Sequence, residues 1–258
     1  MRVISLQSGS KGNCIYLETE GVRLIFDAGI TGKVACERLA GYDIDIKSVD
    51  AVFISHDHSD HFKYAGVFSR KFGHKVAMPE KTHRRHARWL KDIDIYAHFE
   101  PGERISVGEV TIETYPTPHD TDNSCAFVVE AGSKRLGILT DLGHVFEGLG
   151  DIISTLDAVM LESNYDPVLL EAGPYPWSLK QRIVGSGGHI SNEDAGRLLE
   201  QYASPRLKWA CLSHISENNN TYKHARETNL AILGHYGAKR HYHLLIARQD
   251  RAVVMPSF

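Results

Sequence analysis

The chain has 258 residues, 42% hydrophobic and 24% charged, enough to bury a sizeable core as one large domain or two small ones. A formal charge of −3, from 29 Lys and Arg against 32 Asp and Glu, excludes a protein that binds nucleic acid over its whole surface. No apolar run approaches the roughly 20 residues that span a bilayer, and Cys14, Cys36, Cys125 and Cys211 form no CxxC pair; reduced thiols, no signal peptide at Met1-Arg2-Val3 and a cytoplasmic location are expected.

Along the chain, alternating patterns predict short strands from Arg2 to Leu6, Cys14 to Thr19, Val22 to Asp27 and Ala51 to Ile54. Helical spacing follows from Tyr64 to Phe72 and from Thr82 to Leu90, and strands return at Val110 to Tyr115, Cys125 to Glu130 and Lys134 to Thr140. The second half repeats this order more weakly: strand Ala158 to Leu161, helix Asn192 to Tyr202, strand Trp209 to Leu212, helix Asn219 to Leu233 and strand His241 to Ile246. The stretch from Tyr165 to Gly188, with Pro167, Pro174 and Pro176, reads as an active-site loop. Periodicity alone gives a mixed α/β chain.

The densest chemistry is His56-Asp57-His58-Ser59-Asp60-His61, three imidazoles and two carboxylates directly after an apolar strand. Imidazole nitrogen and carboxylate oxygen are the donors that divalent Zn, Mn or Fe prefer, and a loop leaving a buried strand can turn several of them toward one point. Three further donors sit where predicted strands stop: His119 after a proline-flanked turn, Asp141 after Leu136 to Thr140, and His214 after Trp209 to Ser213. Because these donors must meet, residues 1–258 are expected to form a single domain.

With Asp27 closing the strand before the His-rich run, the pattern resembles the metallo-β-lactamase superfamily, and the resemblance covers nearly the whole chain. It implies a four-layer αββα sandwich. It also implies two divalent ions, Zn or Mn with Fe possible: one held by His56, His58 and His119, the second by Asp60, His61 and His214, with Asp141 bridging and Asp27 orienting a histidine or the loop behind them. Read without the resemblance, Asp27 is also a strand-end turn residue.

The segments Ser8 to Asn13, Tyr175 to Ile183, Gly188 to Glu193 and Leu212 to Asn219 resemble the YycJ and WalJ group, related to tRNase Z and the phosphodiesterases. That resemblance implies hydrolysis of phosphodiester bonds in DNA or RNA, by an exonuclease using hydroxide generated at the metals. Asp60, His189 and Glu162 are the expected catalytic residues, His189 as a proton donor or phosphate anchor whose pKa Glu162 raises. The same His189 also reads as the residue before a helix capped by Ser191 and Asp194. Ser10, Asn13, Asn218 and Asn219 are candidate substrate contacts, as are Lys180 and Arg182 for backbone phosphates. Lys81, Arg84, Arg85 and Arg88 make a second basic cluster that reads more simply as a solvated helix face. Two other classes fit the donor set, a small-molecule hydrolase (lactonase, thioesterase or cyclic phosphodiesterase) and a metal-stabilised regulatory protein without turnover.

Overall fold

In the computed structural model, residues 1–235 and 241–258 are described. Strands β1 (Arg2–Gln7), β2 (Cys14–Thr19) and β3 (Val22–Phe26) open the chain, followed by helix α1 (Gly32–Ala40) and β4 (Ala51–Phe53). Next come α2 (Ser59–Phe62), α3 (Ala65–Phe72), β5 (Lys75–Pro79), α4 (Glu80–Leu90), β6 (Ile95–Phe99), β7 (Arg104–Val107), β8 (Val110–Pro116), β9 (Cys125–Ala131) and β10 (Lys134–Leu139). The remainder holds α5 (Leu149–Ser154), β11 (Ala158–Glu162), α6 (Pro167–Ala172), α7 (Trp177–Val184), α8 (Asn192–Tyr202), β12 (Trp209–Ser213), α9 (Tyr222–His235), β13 (His243–Ile246) and β14 (Val253–Val254). Contacts group these into two compact units, one of residues 1–116, 121–132 and 248–257, the other of residues 117–120, 133–247 and 258.

The first unit is built on a sheet in the order β14-β1-β2-β3-β4-β5-β6. Its antiparallel part turns at Glu20-Gly21, where φ of 49° and 73° gives the two-residue turn whose twist matches the flanking strands. From β3 onward the strands run parallel, because α1, α3 and α4 each return the chain to the start of the next strand. One sheet face buries Ile4, Leu6, Ile25, Val52, Val76 and Met78 with Leu39, Phe68 and Leu90 of those helices. The opposite face carries Phe26 and Phe53, whose rings lie 5.1 and 6.2 Å from that of Phe127 in the antiparallel β7-β8-β9 ladder.

The second unit contains a parallel ladder, β10 with β11, β11 with β12 and β12 with β13. Helices α8 and α9 pack closely where Gly196 faces Ile232. Parallel strands align their carboxyl ends, and loops leaving that edge can converge. The ends of β3 and β4 in the first unit, and of β10, β11 and β12 in the second, carry the histidines and carboxylates singled out above.

Several sequence expectations need correction. The segment from Tyr165 to Gly188 is not a bare loop: it contains α6 and α7. Two of its three prolines begin these helices, Pro167 following the Asp166 cap and Pro176 preceding Trp177, while Gly173 and Gly185 end them. Helix α9 starts at Tyr222 rather than Asn219, since Asn220 and Thr221 serve as turn and cap, accepting from Thr221 N and His224 N. The strand expected from His241 begins at His243. Helix α1 and strands β5, β6, β7 and β14 lacked a clear period and went unpredicted. Among the described residues no helix is long and apolar enough to cross a membrane.

The Phe127 ring fills the space against Phe26, Phe53 and Phe99. Phe127→Ala is therefore expected to lower stability by about 3–5 kcal/mol, read as a shift in the denaturant midpoint; a change below about 1 kcal/mol would show that the strands collapse onto the vacated volume at little cost.

Candidate metal centre and its supporting residues

In the first unit, the chain leaves β3 through Asp27, which is 4% exposed and adopts a left-handed φ of 64°. Its N–H donates to Phe53 O at 2.8 Å, locking the end of β3 to the end of β4. One carboxylate oxygen accepts from the Ser55 N–H and hydroxyl, both at 2.9 Å, and the other lies 2.7 Å from His61 Nδ1. A buried carboxylate favours a proton on that nitrogen, leaving Nε2 as the lone-pair donor of the ring. Ser55 Oγ also lies 2.9 Å from His56 Nδ1, so one carboxylate fixes two rings whose centroids are 4.3 Å apart. His58 stands edge-on to His56 at 4.8 Å.

Asp60 and His61 sit on the single turn of α2, which two other segments clamp. Asn13 N donates to Asp60 O at 2.7 Å and Ala28 N to His61 O at 2.6 Å. The Asn13 side chain lies 2.9 Å from His61 Nε2 and 3.3 Å from Asp60 Oδ2. Asn13, expected as a substrate contact, is thus buried among the ligand candidates and braces them, whereas Ser10 is exposed. Asp57, the one carboxylate of the run that is not a candidate ligand, accepts from Thr121 Oγ1, His86 and Arg85. Burial pushes its carboxyl up, but these donors together hold it below the usual carboxylate range.

The second unit repeats the left-handed exit: Asp141 after β10 has φ 57° and His214 after β12 has φ 52°. His119 Nδ1 bonds Gly188 O at 2.9 Å, and its Nε2 lies 3.5 Å from Asp141 Oδ1. His214 Nε2 approaches the same oxygen at 3.7 Å. Asp141, Glu162, His189 and His214 each bring a donor atom within 4.8 Å of the others. His189 Nδ1 lies 2.6 Å from Glu162 Oε1, while Glu162 Oε2 accepts from Leu142 N at 2.9 Å. Burial pushes the Glu162 carboxyl up, yet the charge and hydrogen bond of His189, with His214 adding to them, bring it down to about 2. The helix reading of this segment also holds, since Ser191 and Asp194 form a full capping box on α8. Cap and ring pair coexist.

The remaining candidates are placed as follows. Arg182 pairs with Asp120 beside His119, and the Lys180 ammonium donates to Glu171 O on α6. Asn218 donates to the Tyr175 hydroxyl at 2.8 Å, and Asn219 is buried. Further asparagines support the site, of which Asn220 also reads from the sequence as a loop-stabilising residue. Asn164 donates to His214 O at 2.8 Å and lies 3.1 Å from its Nδ1. Asn192 and Asn220 exchange amide hydrogen bonds at 3.0 and 2.8 Å, Asn220 also donating to the Ser163 and Asn164 carbonyls at 3.0 Å. Asn164 follows β11 as Asp141 follows β10, a position that could have drawn attention to it.

The metallo-β-lactamase superfamily model matches residues 8–214. Exodeoxyribonuclease WalJ of Streptococcus pneumoniae is 35% identical over 86% of this chain and 84% of its own, and exodeoxyribonuclease YycJ of Bacillus anthracis is 32% identical over 90% and 89%. Among solved structures, the metallo-β-lactamase fold protein YhfI of Bacillus subtilis superposes with a TM-score of 0.74 at 16% identity, covering 98% of this chain and 99% of that one. The α/β sandwich expected from the sequence is the fold of these neighbours, and the superfamily together with histidine and carboxylate clusters able to hold an ion implies that the protein binds divalent metal.

Gly29 lies where the Asn13 and Asp60 segments cross; a Cβ there would fall 1.7 Å from Asp60 O and 2.7 Å from Asn13 N. Gly29→Ala should displace α2 from its clamp and lower metal affinity by about 10- to 100-fold, as loss of an outer support does, measured by competition with a chromophoric chelator; unchanged affinity would show that the clamp does not set the positions of Asp60 and His61. The chain belongs to the metallo-β-lactamase superfamily and, within it, to the group of the WalJ and YycJ proteins.

Proposed function

We propose that the protein is a metal-dependent exonuclease acting on DNA, with residues 1–258 working as one hydrolase domain in the cytoplasm. The observation that carries this is the likeness over most of the chain to two proteins named exodeoxyribonucleases, on a chain that retains every histidine and carboxylate of the family pattern. In this reading His56, His58 and His119 hold one divalent ion, Asp60, His61 and His214 hold a second, and Asp141 is shared. Nitrogen and carboxylate donors of this mixture suit Zn and Mn, and also Fe. Bound there, such ions lower the pKa of water and stabilise charge on the attacking and leaving oxygens.

The protein's own groups prepare that chemistry. Asp27 and the Gly188 carbonyl each bond one ring nitrogen, of His61 and His119 respectively, so that in both rings Nε2 is the donor to metal. The Glu162 carboxylate, held well below the usual carboxylate range, lies 2.6 Å from His189 Nδ1 and fixes the orientation of that ring. With Nδ1 engaged by Glu162, Nε2 is the ring nitrogen left for a leaving oxygen or a phosphate, the role proposed for His189. Arg182 on Asp120, with Lys180, is proposed to meet a substrate phosphate, and Ser10, Asn218 and Asn219 are proposed as further substrate contacts.

The deciding assay incubates metal-replete protein with end-labelled single- and double-stranded DNA and RNA, beside bis-p-nitrophenyl phosphate, a lactone and a thioester. Stepwise shortening of DNA is expected. Turnover of the lactone or thioester with no polynucleotide cleavage under Zn, Mn or Fe would replace the nuclease by the small-molecule hydrolase.

Elemental analysis should find two divalent ions per chain, and Asp141→Ala should lose both the stoichiometry and hydrolysis; a mutant retaining most activity would refute the shared ligand. His189→Ala, by contrast, should keep its metal while the rate falls about 10²- to 10⁴-fold, the range for a positioned proton donor. Loss of metal in that variant would make His189 a ligand instead.

A further inference from the structure

Helix α4 is unusual in what it leaves outside. Thr82 and Leu90 are its buried residues, while Lys81, Arg84, Arg85, Arg88, Trp89 and the following Lys91 are exposed. A ridge of cations about 15 Å long, at 1.5 Å per residue, thus lies on a chain whose total charge is −3. The only acid of this helix is Glu80, which lies 2.7 Å from Arg84.

Its place relative to the His-rich run is fixed at two points. His86 Nε2 and Arg85 Nη1 lie 2.8 and 3.4 Å from the Asp57 carboxylate, between His56 and His58. Further along, Trp89 Nε1 donates to Lys63 O at 3.3 Å, immediately after α2. The segment carrying His58, Asp60 and His61 is therefore bracketed by contacts to one helix. Trp89 keeps 60% of its surface exposed even though its N–H is tied down, so the indole presents an orientationally fixed aromatic face to solvent.

A solvated helix face has no use for a pinned, exposed indole. Cations on a backbone-tracking ridge together with an aromatic plate are the parts that hold single-stranded nucleic acid without regard to sequence. We propose that α4 is a platform for the single-stranded part of a DNA substrate, Lys81, Arg84 and Arg88 contacting two or three phosphates and Trp89 stacking on a base. This rests on the nuclease reading and extends it: the bracketed loop sets the distance from the cleaved bond to the held strand.

The test uses the full, metal-replete chain and a fluorescein-labelled single-stranded oligonucleotide. Binding is read by anisotropy at several salt concentrations, cleavage by gel, and fold and metal site by metal content and hydrolysis of bis-p-nitrophenyl phosphate. The triple variant Lys81→Gln, Arg84→Gln, Arg88→Gln should bind more weakly and lose about 0.7 of logarithmic salt slope for each phosphate contact removed. Trp89→Ala should bind about tenfold more weakly with its slope unchanged. Arg197→Gln on α8, which also removes an exposed charge paired to a glutamate, is the control and should bind as wild type. If wild type cuts the oligonucleotide and all variants bind and cut it equally, the platform is overturned and the nuclease stands. If wild type binds without cutting under any metal and the α4 variants bind more weakly, the platform is supported and the nuclease reading fails. A wild type that neither binds nor cuts overturns both.

Discussion

A single buried charge organises the first unit. Asp27 is almost fully removed from water and is stable there because its two oxygens meet three donors, Ser55 N–H, Ser55 Oγ–H and His61. Burying a carboxylate without partners costs several kcal/mol; with them it becomes a geometric clamp, since none of the three can move without exposing the charge to an apolar environment. The strand end, the His-rich loop and the tautomer of His61 are set together. The same carboxylate raises the pKa of the buried Cys125 thiol, after burial itself, so that cysteine stays neutral and unreactive.

The second unit reaches a comparable rigidity by other means. Backbone carbonyls and side-chain amides do there what a carboxylate does in the first: Gly188 O holds His119, and Asn164, itself bonded through its carbonyl by Asn220, holds His214. Gly188 must be glycine for this, because a Cβ would lie 2.0 Å from Ile183 O. A neutral amide network carries no ionisation cost on burial, and in it Asn192 and Asn220 each both donate and accept. It leaves Glu162 as the ionised partner for His189.

The positions of the chemistry were legible from the sequence because they follow from strand ends. Asp27, Asp141 and His214 were singled out as residues after apolar runs, and each leaves its strand at positive φ, a conformation that costs most L residues about 1–2 kcal/mol and that Asp tolerates better. Nothing in residue order encodes that dihedral, so the common exit geometry was invisible. The pair of Glu162 and His189, 27 positions apart, was reached only through resemblance. Helices α6 and α7 were hidden for a different reason: the prolines and glycines that begin and end them are the same signals that mark a loop, and position alone separates the two uses. Strands β5 to β7 are short and lie beside charged helices or loops, so their periods were too brief to register.

The distribution of cations explains how a slightly acidic protein can serve a polyanion. Arg85 bridges Asp57 and Asp122, and Arg182 is held by Asp120; both arginines spend part of their charge on carboxylates next to the candidate ligands His56, His58 and His119. Such pairs fix the guanidinium while more than half of each side chain stays exposed, and the five-donor fork of arginine retains donors beyond those the carboxylates use. The charge that counts for association is then local and oriented rather than summed over the chain, which is why a formal −3 does not decide against a nucleic-acid substrate. Divalent ions at the histidine and carboxylate clusters would add positive charge where the sequence total counts only acids, so the same carboxylates that lower the net charge on paper become, once metal is bound, the means by which a phosphate is drawn in.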